Sequence, residues 1–269
     1  MARDKEARGQ GPLASEAREL VASARALLEE LVEEGVDQFE PAAAGPVARA
    51  CAPSRPPREA PRPRPAPSEG GQLGLMGDDA PWGEEPTLEE VRQALGECTR
   101  CRLCQGRTQI VFGDGSPSAD LMFIGEGPGA EEDRRGLPFV GRAGELLTQM
   151  IENGIGLARS DVYICNIVKC RPPENRTPLA DEAGACRPFL DGQISAVRPR
   201  VLIALGKPAA SLLLGRDIAI TRLRGTWQEY RGIPLMPTFH PAFVLRRYTP
   251  ENRRLVWNDL KAALQRSRE

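Results

Sequence analysis

The chain has 269 residues, of which 41% are hydrophobic and 27% are charged, a composition typical of a globular protein. No run approaches the ~18 consecutive apolar residues that a membrane-spanning helix needs. The single histidine, His240, excludes sites built from several imidazoles, such as a three-histidine zinc centre.

The net charge of −1 conceals an asymmetry along the chain. Residues 1–97 carry 11 basic and 19 acidic side chains, whereas residues 161–269 carry 18 basic and 10 acidic ones. A basic C-terminal half suits a polyanionic partner such as DNA, although a solvated basic surface gives the same pattern.

Two segments precede the part of the chain that looks folded. Residues 1–40 place Leu and Ala at helical spacing, which predicts one amphipathic helix able to bind a protein partner. Residues 41–85 are rich in Pro, Ala, Arg and Gly and predict a disordered linker. The first residues, MARDKEARGQG, lack the apolar core of a signal peptide, so we expect a cytoplasmic protein that is neither secreted nor bound to a membrane.

Residues 86–269 alternate strand and helix patterns. The predicted strands are ADLMFIGEG, DVYICNIVKC, RPRVLIALG and IPLMPTFHP. The predicted helices are TLEEVRQALGEC, GRAGELLTQMIENGIG, LADEAGACRPFLDGQISAV, KPAASLLLG and TPENRRLVWNDLKAALQRS, with Thr87 and Thr249 as caps. This order predicts a three-layer α/β/α fold with a mostly parallel four-stranded sheet. Ligands bind at the carboxyl ends of such strands, where the motifs GEGPG, NIVKC and HPAF fall.

The cysteines form the first candidate site. In ECTRCRLC, two residues separate Cys98 from Cys101 and two separate Cys101 from Cys104, and Cys170 and Cys186 follow much later. Four thiolates from two such segments can hold a zinc ion or an iron–sulfur cluster; the alternative is a set of ordinary buried thiols. The spacing leaves open whether Cys104 replaces Cys98 or Cys101 as a ligand.

Four other residues combine a functional and a structural interpretation. Phe139, in a Gly/Pro loop, is either a stacking platform or a core aromatic. Asn166, at the end of an apolar strand, either recognises a planar ligand or links two loops. His240, which precedes a proline at a strand end, is either a structural or a catalytic histidine. Glu126, on the turn GEGPG, is either a polar catalytic group or a bystander. That turn departs from the dinucleotide-binding pattern, which argues against a nucleotide cofactor.

Three blocks together resemble family 4 uracil-DNA glycosylases: GEGPGAEEDRRGLPFVGRAGELL, VYICNIVKCRPPENRTP followed by a cysteine, and HPAFVLR. The resemblance covers about residues 88–265. It implies a monomeric DNA-repair hydrolase that flips uracil out of single- or double-stranded DNA and cleaves its N-glycosidic bond, leaving an abasic site for base excision repair. It also implies a [4Fe-4S] cluster whose ligands fall on Cys98, Cys101, Cys170 and Cys186, with Cys104 outside the pattern.

The same resemblance implies roles for the remaining motifs. Phe139 would stack on the flipped uracil, Asn166 would pair with its O4 and N3 edge, and neutral His240 would donate a hydrogen bond to O2. Glu126, Gly127 and Pro128 would line the uracil on the side where water reacts, with Glu132 as a second candidate there. The residues expected at the DNA are Arg171, Arg176, Val244, Leu245, Arg246 and Arg247, with Val244 or Leu245 as the wedge. A catalytically degenerate DNA-binding module that holds an iron–sulfur cluster or zinc is the alternative.

Overall fold

The computed structural model describes residues 82, 83 and 85–269. The predicted N-terminal helix in residues 1–40 and nearly all of the predicted linker in residues 41–85 lie outside the described residues. Within the described part, no helix is both long enough and apolar enough to cross a membrane.

The centre of the fold is a six-stranded sheet in the order β1-β3-β2-β4-β6-β5. Its four inner strands are parallel, which confirms the predicted architecture, and both edge strands are antiparallel. The strands are β1 (Asp114–Gly115), β2 (Leu121–Gly125), β3 (Tyr163–Asn166), β4 (Val201–Leu205), β5 (Gln228–Tyr230) and β6 (Ile233–Thr238).

The two edge strands are additions to the predicted four. β1 has only two residues, and β5 is the polar tripeptide QEY, so neither shows the apolar run that predicts a buried strand. β5 turns into β6 through Arg231 and Gly232, whose φ angles are +52° and +80°. Positive φ at both central residues is characteristic of a tight hairpin turn.

Helices surround the sheet on both faces. Thr87 and Thr249 accept the capping hydrogen bonds that the sequence predicts. The helices are α1 (Leu88–Leu95), α2 (Ala130–Arg135), α3 (Arg142–Gln149), α4 (Ala180–Val197), α5 (Lys207–Leu214), α6 (Ile220–Leu223), α7 (Pro241–Arg246) and α8 (Pro250–Ser267); α3 continues as a π-helical turn (Met150–Ile155), and short 3₁₀ turns span Arg102–Gln105, Arg159–Asp161 and Pro173–Asn175.

Alternation along the strands divides the core into two layers. On β2, Met122 and Ile124 pack with side chains of α4 and α5, whereas Leu121 and Phe123 pack with side chains of α3 and α8. Successive residues of a strand point to opposite faces, so an all-apolar strand must be covered twice. The result is the predicted three-layer α/β/α arrangement.

The folded part begins earlier than the predicted boundary at residue 86. Trp82 is only 8% exposed, and its ring centroid lies 5.6 Å from that of Phe189 on α4. It shares a third apolar cluster with Val91 and Leu95 of α1. The placement of Trp82 in a disordered linker is therefore wrong, because its indole is part of the core that joins α1 to α4.

Candidate active site

The candidate site lies at the carboxyl ends of the parallel strands. Gly125 ends β2 and pairs in register with Asn166, which ends β3. Gly206 follows β4, and a Cβ on it would lie 3.0 Å from Cβ of His240, which follows β6. The parallel sheet thus gathers residues that are far apart in sequence at one edge.

Asn166 and Phe139 meet over Gly125. A Cβ on Gly125 would overlap both the Asn166 Oδ1 atom and the Phe139 ring. Asn166 is 1% exposed, and its Oδ1 has no hydrogen-bond partner among the described residues. Buried polar atoms are nearly always hydrogen-bonded, so this oxygen is an acceptor held ready for a donor beside an aromatic ring.

Phe139 is held in a backbone conformation that L-residues rarely adopt. Its φ is +51°, and a Cβ on Gly144 of α3 would overlap the Phe139 carbonyl. Arg159 supports the loop by donating from Nη2 to the Pro138 carbonyl at 2.6 Å. A positive φ at a bulky residue persists only where the surroundings impose it, and such strain concentrates at functional sites.

His240 is neutral and has a defined tautomer. Its Nδ1 accepts a hydrogen bond from the Ala242 backbone N–H at 3.1 Å, so its remaining proton is on Nε2. Burial, helped by the charge of Arg246 and opposed by that of Glu132, lowers the pKa of His240 to about 4. The His240 ring centroid lies 5.6 Å from that of Phe139, so a neutral N–H donor stands beside the stacking platform.

Glu132 acts as a backbone clamp. Its carboxylate accepts hydrogen bonds from the backbone N–H groups of Gly129, Val140 and Gly141, at 2.8–3.1 Å. These bonds join the GEGPG turn to the loop that carries Phe139. With three backbone donors on its carboxylate, Glu132 holds the two loops together, and these bonds leave it less suited than Glu126 to orient water.

The turn GEGPG lines the same edge of the sheet. The Glu126 carbonyl accepts from the Val168 N–H at 3.4 Å, and a Cβ on Gly127 would lie 3.0 Å from the Val168 side chain. Pro128 is buried, whereas the Glu126 side chain is half-buried and forms no hydrogen bond to another described residue. The Glu126 carboxylate is thus available to bind a ligand or a water molecule.

Of the two residues predicted to wedge into the DNA, only Leu245 remains a candidate. Val244 is 0% exposed and packs in the core, so its expected role at the DNA is wrong. It shares the inner face of α7 with Pro241, three residues earlier, which is the spacing of one helix face. Leu245 is half-buried, and Arg246 and Arg247 are exposed.

The two arginines of RPPENR differ in their surroundings. Arg176 donates to both carboxylate oxygens of buried Glu182, at 2.7 and 2.8 Å. This pair lowers the pKa of Glu182 to about 2. Arg176 thus neutralises Glu182 while its own side chain stays 34% exposed. Arg171 donates to Asn175 Oδ1 at 2.8 Å and forms no other side-chain hydrogen bond among the described residues.

The candidate metal ligands converge from two segments. Burial raises the pKa of the Cys186 thiol, and the thiols of Cys101 and Cys98 raise it further. Burial likewise raises the pKa of Cys170 to about 11, with contributions from Cys186 and Cys101. The four cysteines from the two predicted segments are thus electrostatic neighbours, although Cys98 and Cys170 are more than 70 residues apart in sequence.

Two guanidinium groups face the sulfurs. Arg100 Nη1 lies 3.3 Å from Cys98 Sγ, and Arg107 Nη1 lies 3.5 Å from Cys170 Sγ. Positive donors of this kind stabilise thiolates, the form that binds metal. Among the described residues, no three His, Cys, Asp or Glu side chains are close enough to hold a single metal ion.

Lys169 is a functional neighbour that the sequence interpretation missed. It is 0% exposed, and its Nζ donates to the Asn166 carbonyl at 2.7 Å and to Gln193 Oε1 at 2.5 Å. It immediately precedes Cys170 and so connects the cysteine segment to Asn166. A lysine within the apolar run NIVKC was the available signal, because a buried charge requires several partners.

The comparisons with known proteins agree with this arrangement. The family model for the uracil DNA glycosylase superfamily matches residues 112–261. The chain belongs to this superfamily. The type-4 uracil-DNA glycosylase of Thermotoga maritima is 46% identical to it over 181 residues, which cover 66% of this chain and 94% of that protein.

Two further relatives show the place of the chain within the superfamily. The type-4 uracil-DNA glycosylase of Sulfurisphaera tokodaii is 43% identical over 65% of this chain and 82% of that protein. The type-5 uracil-DNA glycosylase of Pyrobaculum aerophilum is 31% identical over 48% of this chain and 63% of that protein. The chain is therefore a type-4 member of the uracil-DNA glycosylase superfamily.

Proposed function

We propose that this protein excises uracil from DNA by hydrolysing the N-glycosidic bond and leaves an abasic site. The observation that carries the proposal is the buried Asn166 Oδ1, which has no partner among the described residues and lies against the Phe139 ring. A base inside a duplex cannot reach such a pocket, so the nucleotide must be flipped out.

Asn166 supplies the selection of uracil. Its Oδ1 accepts from uracil N3–H and its Nδ2 donates to O4, while the Phe139 ring stacks on the base. Cytosine offers an acceptor at N3 and a donor at C4, which leaves the amide of Asn166 facing like groups. Sites built to pair buried polar groups reject mismatched ligands strongly, because desolvated groups remain unpaired.

His240 supports departure of the base. The C1′–N1 electron pair passes to uracil as the bond breaks, and the Nε2–H of neutral His240 donates to O2, where negative charge develops. Loss of one such donor typically reduces the rate by about 10²–10³-fold. A water oxygen then bonds to C1′ and releases a proton; Glu126, whose carboxylate no described residue occupies, is suited to orient that water.

The DNA-facing surface is proposed around α7. Leu245 is the wedge candidate, and Arg246 and Arg247 contact phosphates. The Arg246 charge contributes to the lowered pKa of His240, which supports a position near the base pocket. Arg171 and Arg176 are the candidates from the RPPENR segment.

We also propose that Cys98, Cys101, Cys170 and Cys186 hold a [4Fe-4S] cluster. The convergence of four thiols from two segments and the two guanidinium donors beside them support a thiolate-bound metal centre, and the resemblance to type-4 uracil-DNA glycosylases makes a cluster the first choice over zinc. The cluster would supply structural cross-linking, joining the segment after α1 to the segment that follows Asn166.

Three further expectations concern the oligomeric state, a protein partner and the location in the cell. The catalytic domain acts as a monomer, the predicted helix in residues 1–40 binds a protein partner, and the enzyme works in the cytoplasm with the DNA. Size-exclusion chromatography of the full chain tests the first, and pull-down with residues 1–40 tests the second.

The decisive experiment measures alkali-labile sites in matched oligonucleotides that contain uracil or thymine. We expect cleavage at uracil alone, and Asn166→Ala and His240→Ala should each reduce single-turnover excision by at least about 100-fold. Asn258→Ala is the matched control, because this exposed asparagine on α8 lies outside the site.

Two outcomes would contradict the proposal. Excision that survives both substitutions would show that the assigned site is wrong. An intact uracil strand with folded, brown, DNA-binding protein would favour the catalytically degenerate DNA-binding module. A colourless protein that contains zinc would overturn the cluster assignment alone.

A further inference from the structure

A groove of about 520 Å³ lies between α8 and the helical segment that follows the Phe139 loop. Its walls include Leu146 and Met150 on one side and Tyr248, Arg253 and Trp257 on the other. The proposed base-excision reaction uses none of these side chains.

The aromatic walls of the groove are exposed and oriented. Tyr248 is 57% exposed and Trp257 is 44% exposed. Trp257 Nε1 donates to the Gly154 carbonyl at 2.8 Å, which fixes the plane of the indole. Arg253 lies 5.0 Å from the Tyr248 ring centroid. Lys261 Nζ likewise lies 4.4 Å from the Trp257 ring centroid, so a cation covers one face of each ring, and an unpaired base would stack on the other face.

The charge of the groove matches nucleic acid. Its described lining includes Arg253 and Arg254 and no carboxylate. None of the ion pairs between described residues involves either arginine. A second groove, of about 550 Å³, is lined by Trp227, by the carboxylates of Glu229 and Glu269 and by Arg266, which forms an ion pair with Glu269 at 2.6 Å. Its described lining therefore has a net negative charge and offers a phosphate chain no unpaired cation.

The groove also continues the proposed DNA-facing surface. Arg246 ends α7, Arg247 and Tyr248 follow it directly, and Arg253 is reached one turn into α8. Tyr248 lines the groove, so a strand that contacts Arg246 and Arg247 lies next in the chain to one wall of the groove.

We propose that this groove binds the unpaired DNA strand that flanks the uracil, with bases stacked on Tyr248 and Trp257 and phosphates on Arg253 and Arg254. The inference rests on the proposed function and assigns its substrate class: single-stranded DNA that extends beyond the flipped nucleotide. Duplex DNA keeps its bases stacked on one another, so it cannot use the aromatic wall.

The test measures binding of the full chain to uracil-free, fluorescein-labelled oligodeoxythymidine of about 4 and about 16 nucleotides, the usual range of site sizes for small single-strand-binding folds. The unchanged protein should bind the longer strand more tightly. Trp257→Ala should weaken that binding by about 5- to 100-fold, the effect of losing one stacked base, while Trp257→Phe restores much of it. Tyr248→Ala, at a more exposed position, gives a second test that does not depend on core packing.

Trp227→Ala is the matched control, because Trp227 is 42% exposed and lies in the acidic groove. Equal binding by the Trp227→Ala and Trp257→Ala proteins would overturn the inference. Tighter binding by Trp257→Ala would also overturn it and would indicate that residues 1–40 or a protein partner occupy the groove. Excision assays on the same proteins separate the two proposals: a protein that cleaves at uracil but shows no effect of Trp257 refutes the groove alone.

Discussion

At the scale of single residues, the site requires two positions without a side chain as well as the side chains that bind the base. Gly125 leaves the space in which Asn166 Oδ1 and the Phe139 ring meet, and Gly144 leaves the space for the Phe139 carbonyl. The positions of Phe139, Asn166 and His240 in the motifs were enough to predict them as site residues. The roles of the two glycines could not be predicted from the sequence, because they follow only from the close approach of distant segments.

Gly125→Ala should abolish excision while the protein remains folded. The added Cβ would overlap Asn166 Oδ1 and the Phe139 ring, so the base-binding groups must separate. Gly184→Ala in α4 is the control, since a Cβ there meets nothing within 4 Å; replacing a helical glycine should raise stability by about 0.5–1 kcal/mol. Single-turnover excision and circular dichroism measure the two effects, and an active Gly125→Ala enzyme would refute the pocket geometry.

The activity of His240 should be insensitive to pH near neutrality. Because burial lowers its pKa from 6.5 to about 4, the folded enzyme keeps a neutral imidazole between pH 8 and pH 5. The unfolded chain gains a proton below about pH 6.5, so stability contributed by this group falls as pH decreases from 6.5 towards 4. Excision rates should lose their His240-dependent part only near pH 4; a transition at pH 6.5 that His240→Ala removes would contradict this expectation.

At the scale of elements, the sequence predicts the strands and helices that have a regular hydrophobic pattern, but it does not predict which charged side chains form ion pairs with one another. The four apolar strands and the capped helices α1 and α8 follow from hydrophobic runs and Thr caps. The residues of HPAFVLR form α7, in which the spacing of Pro241 and Val244 turns Val244 inward, and the sequence does not show which face of so short a helix is buried. The pairing of Arg176 with Glu182 could not be predicted either, because Glu182 belongs to a helix that begins after the RPPENR motif.

The start of the folded part can be tested by truncation. A chain that begins at residue 86 loses Trp82, whose indole packs on Phe189 and against Gly192. Removing a buried tryptophan costs about 3 kcal/mol or more, so this truncation should unfold at lower temperature than one that begins at residue 80. Thermal melts of the two truncations and of full-length Trp82→Ala measure the effect. Equal melting temperatures would show that Trp82 does not contribute to the stability of the fold and belongs to the linker.

At the scale of the whole molecule, charge separates along the chain. The C-terminal 109 residues carry a net charge of +8, and the exposed Arg246 and Arg247 belong to this part. Affinity that comes from phosphate contacts decreases linearly with the logarithm of salt concentration. The composition alone suggested this partner, but which arginines are exposed and which neutralise internal carboxylates required the fold.

Arg246→Ala should therefore reduce the salt dependence of DNA binding by about one unit of log–log slope, because one phosphate contact is lost. Arg216→Ala is the control, since Arg216 is exposed and bonds to Gln228 on the far edge strand. Binding isotherms at several salt concentrations measure the slopes. Identical slopes for the two variants would remove Arg246 from the DNA-facing surface.

The gathering of the cysteines has a consequence for folding. Glu126, Phe139 and Asn166 all lie in the stretch of chain between Cys101 and Cys170, whereas His240 lies beyond it. A cluster that joins the ends of that stretch would reduce the conformational entropy of the unfolded chain between them. Folding of the segment that carries the base pocket would then be coupled to acquisition of the cluster, whereas the segment that carries His240 lies outside that loop.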